Sequence, residues 1–277
     1  MTLIELGDVV VNTTVLRPAD RAPGHPVAVC VHGLGRDSMA SFYSTIAIPL
    51  VRTGFTVVLY DLRGHGGSSR PASGYRLDDF SNELGGVIDY AAAHEAATGP
   101  LFLVGNSYGG AVALHYAYRE PERIAGIAVI ETGPPTALWS RSMRLAVDEV
   151  LKAAQRPEVL KALENRLGRA AMTETVKTTQ AIAGTTLSAE VPTGSLLTES
   201  QVRAYPHPVL ALFGGASPVS AVAPILAEQM PDCRTEVLAG HGHTVLVEAS
   251  DEVRDLVVPW LADRAAENNR VRTRSRE

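Results

Sequence analysis

Short apolar runs rich in β-branched residues recur along the chain, separated by stretches in which apolar positions return every three or four residues. Val9–Leu16 reads as an early strand, and Val27-Ala28-Val29-Cys30-Val31 is apolar at every position. A run with no polar face suits a central strand covered on both sides. Ser41–Arg52 fits a helix, Thr56–Tyr60 the next strand and Leu77–His94 a long helix. Leu101–Val104 then reads as a strand, with a helix following Ser107. Ile124–Ile130, Val209–Phe213 and Thr235–Leu238 complete the set of predicted strands. Strands alternating with helices predict an α/β fold built on a mostly parallel, doubly wound sheet.

The alternation breaks between Pro134 and Pro206. Leu138, Trp139, Met143, Val147, Val150 and Leu151 fall at helix-like spacing, and Tyr205-Pro206-His207-Pro208 makes a stiff re-entry into the sheet. Residues 134–205 therefore read as a helical cap insertion over the carboxyl edge of the sheet. Residues 1–133 and 206–264 are expected to form the core. Past Arg264 the chain turns polar, with Arg270, Arg272, Arg274 and Arg276, and 265–277 reads as a flexible tail.

Composition narrows the picture little but usefully. A chain of 277 residues can bury a large core, and 45 % hydrophobic with 20 % charged residues is ordinary for a globular protein. A net charge of −5 argues against general nucleic-acid binding. No apolar run approaches membrane-spanning length, and Met1-Thr2-Leu3-Ile4-Glu5 lacks the basic and apolar regions of a secretion signal. A cytoplasmic protein without membrane partners is the expectation. Two cysteines, Cys30 and Cys233, make neither a disulfide framework nor a metal cluster, and Cys30 reads as a small buried hydrophobe.

The chemistry concentrates where strands end. Gly105-Asn106-Ser107-Tyr108-Gly109 stands between the Leu101–Val104 run and a helix-forming stretch. This is G-x-S-x-G set as strand, turn and helix, which strains the serine backbone and projects its hydroxyl above the sheet. The plainer alternative is a tight turn with Ser107 as helix N-cap.

Four motifs together resemble the α/β-hydrolase superfamily over nearly the whole chain, to about Ala262. His32-Gly33-Leu34-Gly35, after the Val27–Val31 strand, is similar to its H-G-x-G oxyanion loop. Asp61-Leu62-Arg63-Gly64-His65-Gly66-Gly67-Ser68 is similar to its D-x-R-G-x-G-x-S segment, Gly105–Gly110 to its nucleophile elbow, and Ala239-Gly240-His241-Gly242-His243 to its histidine loop. The resemblance implies backbone oxyanion donors at Leu34 and Tyr108. It also implies a catalytic histidine five residues before a glutamate; Glu248 selects His243 over His241. Histidine suits the task because an unperturbed imidazole, with a pKa of about 6.5, can take and return a proton. His32 and Asp61 are expected to hold the loops after their strands.

The acid departs from the family pattern. Members usually carry it in a G-x-x-D segment after the strand corresponding to Val209–Phe213, but here that segment is Gly214-Gly215-Ala216-Ser217. A serine cannot supply the charge that stabilises an imidazolium. Glu131, directly after Ile124–Ile130, offers a carboxylate at the neighbouring strand end, where some haloalkane dehalogenases of the superfamily place theirs. The expected triad is Ser107, His243 and Glu131; the alternative is an exposed strand-end charge or a cap-anchoring ion pair at Glu131, which would leave a Ser107–His243 dyad or a degenerate site.

Dehalogenases and epoxide hydrolases of the superfamily attack with an aspartate at the elbow. Ser107 points instead to acyl chemistry on a small-molecule ester, thioester, lactone or amide, with no cofactor and no metal. Two other readings stand beside it: a lyase on the same scaffold that eliminates an acyl or carboxylate group, and a non-catalytic small-molecule receptor. Substrate identity and oligomeric state are not legible in the sequence.

Overall fold

The computed structural model describes residues 1–20, 24–153, 156–167 and 183–274. Eight strands form one sheet: β1 (Thr2–Leu6), β2 (Val9–Leu16), β3 (Val27–Val31), β4 (Thr56–Tyr60), β5 (Leu101–Asn106), β6 (Ile124–Ile130), β7 (Val209–Gly214) and β8 (Cys233–Leu238). Their spatial order is β1-β2-β4-β3-β5-β6-β7-β8. β2 pairs antiparallel with β1 and β4, and every pairing from β4 to β8 is parallel. The mostly parallel, doubly wound sheet expected from the alternating pattern is the observed architecture. β1 was not foreseen; its Ile4 is buried while Leu3 stays exposed, so the segment alternates too briefly to stand out.

The all-apolar strands serve two cores at once. Val27, Val29 and Val31 of β3 face one cluster, Ala28 and Cys30 the other. Phe102 and Val104 of β5 share the second cluster with Ala128 and Ile130 of β6 and with Leu210 and Leu212 of β7. This is the period of two expected of a strand buried on both faces. Burial also pushes the Cys30 thiol well up, so it packs as a hydrophobe and is no nucleophile.

The first cluster is closed by α3 (Leu77–His94) and α4 (Tyr108–Arg119), the second by α1 (Ala40–Phe42), α2 (Ile48–Arg52) and the long helix Ser250–Arg274. Between α1 and α2 the chain makes a π turn at Tyr43–Ala47 that buries Ile46 and Ala47. The Ser250–Arg274 helix overturns the expectation of a frayed tail from residue 265. Ala265 is buried against the core and Arg264 pairs with Glu267 one turn on, and the helix continues to Arg274. Residues 275–277 lie outside the described residues.

From 134 to 205 the described residues contain helices α5 (Ala137–Ala153), α6 (Pro157–Leu167), α7 (Leu187–Glu190) and α8 (Glu199–Arg203). Residues 154–155 and 168–182 of the expected insertion lie outside the described residues. Trp139, Met143 and Val147, one turn apart on α5, pack on the first core cluster. The Trp139 ring lies 5.8 Å from that of Tyr108, which brings α5 over the start of α4. Glu190 ties the segment to the loop before α3 by accepting the N–H groups of Gly74 and Tyr75.

Candidate active site

Strand register assembles the site. Val31 of β3 lies beside Gly105 of β5, Asn106 beside Ile130 of β6, and Ile130 beside Leu212 of β7. The residues following these ends are therefore neighbours: the Gly33 loop, Ser107, Glu131 and the Gly214 turn. Two backbone bonds extend the ladder past the strands, Ser107 N–H to Ile130 O and Glu131 N–H to Leu212 O, both 2.8 Å. Gly214 lies beside Leu238 of β8, and the histidine loop leaves from there.

Ser107 sits at φ 50°, ψ −120° and makes no cap bond to the helix that follows. The N-cap reading of its motif therefore fails, and its hydroxyl is free for another partner. Glycines make this turn possible. A Cβ on Gly105 would lie 2.6 Å from Gly110 N, and one on Gly109 would collide with the carbonyl oxygens of Val31 and His32. Glu131 also has positive φ, 57°. Only one other non-glycine among the described residues does so, Ala96, so the site holds two of three such backbones. For a residue with a Cβ this conformation is costly and persists where surrounding contacts over-determine it.

Those contacts are explicit. Ser107 Oγ lies 3.1 Å from His243 Nε2, and His243 Nδ1 lies 2.8 Å from Glu131 Oε2. A carboxylate only accepts, so the imidazole proton is on Nδ1 and Nε2 presents its lone pair to the serine hydroxyl. Gly214 N–H donates to Glu131 Oε1, and Ser217 Oγ–H donates to Oε2 at 2.6 Å. The Glu131 side chain is wholly inaccessible, whereas that of His243 is 48 % exposed. The charge is thus shielded from water while the imidazole edge stays reachable. Gly214 permits the close approach: a Cβ there would meet Gly242 O and, at 2.5 Å, His241 O. His241 turns away, 3.2 Å from Glu252. Glu248 accepts from Thr244 Oγ1 and Gly242 N–H, bracing the loop that carries His243.

The loop after β3 is held by side chains on both sides of Leu34. Gly33 N–H donates to Asp37 Oδ2 at 2.7 Å and Gly35 N–H to His65 Nε2 at 3.1 Å. Among the described residues no acceptor meets the Leu34 N–H, nor that of Tyr108 at the first position of α4. Asp37 Oδ2 also takes a bond from Asn106 Nδ2, joining this loop to the elbow. His32 accepts Leu62 N–H at Nε2 and donates from Nδ1 to Gly33 O. His65 accepts from Gly35 and donates from Nδ1 to Arg63 O. Both rings are neutral. Burial lowers His32 and brings His65 down to about 4. Asp61 accepts from Asn12, Met39 and Gly67, anchoring the segment after β4. Nothing in the sequence marks Asp37 or the side chain of Asn106 as part of the site. Gly214, which opens the G-x-x-S segment, is the one visible there.

The sequence matches the alpha/beta hydrolase family over residues 28–256. The chain belongs to the alpha/beta hydrolase family. It is 26 % identical to a 2-hydroxymuconate semialdehyde hydrolase of Pseudomonas sp. (strain CF600) over 260 residues, covering 88 % of this chain and 89 % of that one. It is 35 % identical to epoxide hydrolase B of Mycobacterium tuberculosis (strain ATCC 25618 / H37Rv) over 125 residues, 43 % of this chain and 33 % of that one. For the mycobacterial relatives it matches, the chain spans 40 % of their length or less. The crystal structure of a carboxylesterase from Nitrososphaera gargenis superposes with a TM-score of 0.76 at 20 % identity, covering 96 % of this chain and all of that one. That last likeness is one of fold. Among the described residues no helix is long and apolar enough to cross a membrane.

Proposed function

We propose that this alpha/beta hydrolase family member is a serine hydrolase or acyl-transfer enzyme acting on small, partly apolar esters, thioesters or lactones. One observation carries the reading: the unbroken hydrogen-bond chain from Ser107 Oγ through His243 to Glu131, with each proton's direction fixed by the buried carboxylate. Ser107 attacks the carbonyl carbon while His243 Nε2 takes its proton, and Glu131 stabilises the imidazolium that forms. The Leu34 and Tyr108 N–H groups receive the developing oxyanion. His243 returns its proton to the leaving group, and water or another acceptor then releases the acyl group by the reverse sequence.

The helices of 137–203 serve as the cap over this centre. Trp139, on the first of them, lies 5.8 Å ring to ring from Tyr108, whose N–H is an oxyanion donor, and an apolar ring there supports an apolar acyl or leaving group.

The test needs no knowledge of the natural substrate. Intact-mass analysis after fluorophosphonate treatment should show one adduct on the wild type and none on Ser107→Ala, whose fold should persist. The wild type should also release a burst of p-nitrophenol from p-nitrophenyl butyrate. A wild-type protein left unlabelled, with no turnover of activated esters, would sink the reading. Retained ester turnover by Ser107→Ala would sink it equally.

A further inference from the structure

We propose that Ser217, the residue in the place where the family's acid usually stands, is a positioning residue for Glu131. The inference rests on the triad reading above and adds a fourth group to it. Ser217 is buried, and its hydroxyl has two neighbours of fixed polarity. Val219 N–H, a donor only, lies 3.2 Å from Oγ; Glu131 Oε2, an acceptor only, lies 2.6 Å away. The single hydroxyl proton is therefore committed to Glu131, on the same oxygen that receives His243 Nδ1–H.

This bond answers a geometric problem created by carrying the acid on β6. Glu131 has a longer side chain than aspartate and stands on a strained backbone, so its carboxylate needs fixing from outside. Gly214 N–H holds Oε1, the far oxygen. Without Ser217 the oxygen facing His243 would be held by His243 alone, and the imidazole is itself half exposed. Ser217 supplies the missing constraint from β7, so that histidine and acid are located independently. An aspartate at 217 would instead put a second carboxylate against Glu131 in a site closed to water, where two like charges cannot both persist. Serine at this position is thus the complement of glutamate at 131, and the pair reads as one unit.

A double-mutant cycle tests this, with p-nitrophenyl butyrate as substrate and thermal melts confirming that each variant is folded. Ser217→Ala should lower kcat about tenfold with KM nearly unchanged, the loss of one hydrogen bond to a charged group. Glu131→Gln should cost on the order of 10⁴ in kcat. In the Glu131→Gln background, adding Ser217→Ala should change the rate less than twofold, because the group it orients is gone. An equal loss in both backgrounds would show that Ser217 merely caps the turn at Val219, and would overturn the proposal. Full activity of Ser217→Ala would do the same while leaving the triad intact. Full activity of Glu131→Gln would instead remove the triad reading, and Ser217's role with it.

Discussion

Gly214→Ala perturbs the spacing between β7 and the histidine loop while changing no functional group. The added methyl would meet Gly242 O and lie 2.5 Å from His241 O, both backbone atoms that cannot rotate away. Ordinary van der Waals separation requires the loop to retreat by about 1 Å. His243 is two residues from His241 and moves with it. Ser107–His243 at 3.1 Å and His243–Glu131 at 2.8 Å cannot both survive such a displacement. A misplacement of that size costs about 10²-fold in rate. Overpacking should cost about 1–3 kcal/mol in stability, which leaves a folded protein. The alanine keeps its N–H, so the bond to Glu131 Oε1 can still form, and the loss reports spacing alone. The assay is kcat on p-nitrophenyl butyrate alongside the fluorophosphonate labelling rate, with a thermal melt as control. A folded variant within threefold of wild type on both measures would refute the argument that this close approach sets the triad.

Two further outcomes follow from the same geometry. His243→Ala should abolish ester turnover while His241→Ala, whose ring faces Glu252, should retain most of it; the opposite ranking would reassign the base. His65 is held neutral with its pKa down at about 4, below the ordinary value of about 6.5 for a free imidazole, so the unfolded chain binds the extra proton as pH falls between them. Its contribution is fully present above about pH 6.5 and is lost towards pH 4, about 3 kcal/mol in all. Urea melts at pH 7 and pH 4.5 should show a smaller drop in His65→Asn than in wild type, and equal drops would refute this role.

The central strands were legible because β3, β4 and β6 are short, apolar runs rich in β-branched residues and bounded by turn residues, whereas β1, with only Ile4 buried, was not. Ser107, His243 and Glu131 were legible as individual residues because each follows a recognisable strand end or loop motif. What could not be read was distance. Nothing in Gly214-Gly215-Ala216-Ser217 reveals that its serine donates to a carboxylate 86 residues away in sequence, or that its first glycine touches the histidine loop. Both depend on parallel register between β6, β7 and β8, which sequence pattern does not specify. Asp37 is hidden in the sequence for a similar reason: its partners, Gly33 N–H and Asn106 Nδ2, meet only when β3 and β5 lie side by side. The expected tail failed differently. A polar composition does not distinguish a frayed end from the exposed continuation of a packed helix, and the buried Ala265 that extends this one is invisible in the pattern.

Placing the carboxylate on β6 divides the chain's work unequally. Ser107 and Glu131 both belong to the β5–α4–β6 unit, a single βαβ module whose two strand ends are joined by the Ser107–Ile130 backbone bond. The 134–205 segment enters only after that module is complete. It therefore stands outside the stretch of chain that sets the separation between hydroxyl and carboxylate. With the acid after β7, that same segment would fall between the two groups in the chain. In this protein the hydroxyl–carboxylate pairing is closed before the chain enters that segment, and only His243, arriving last, must find a frame already set.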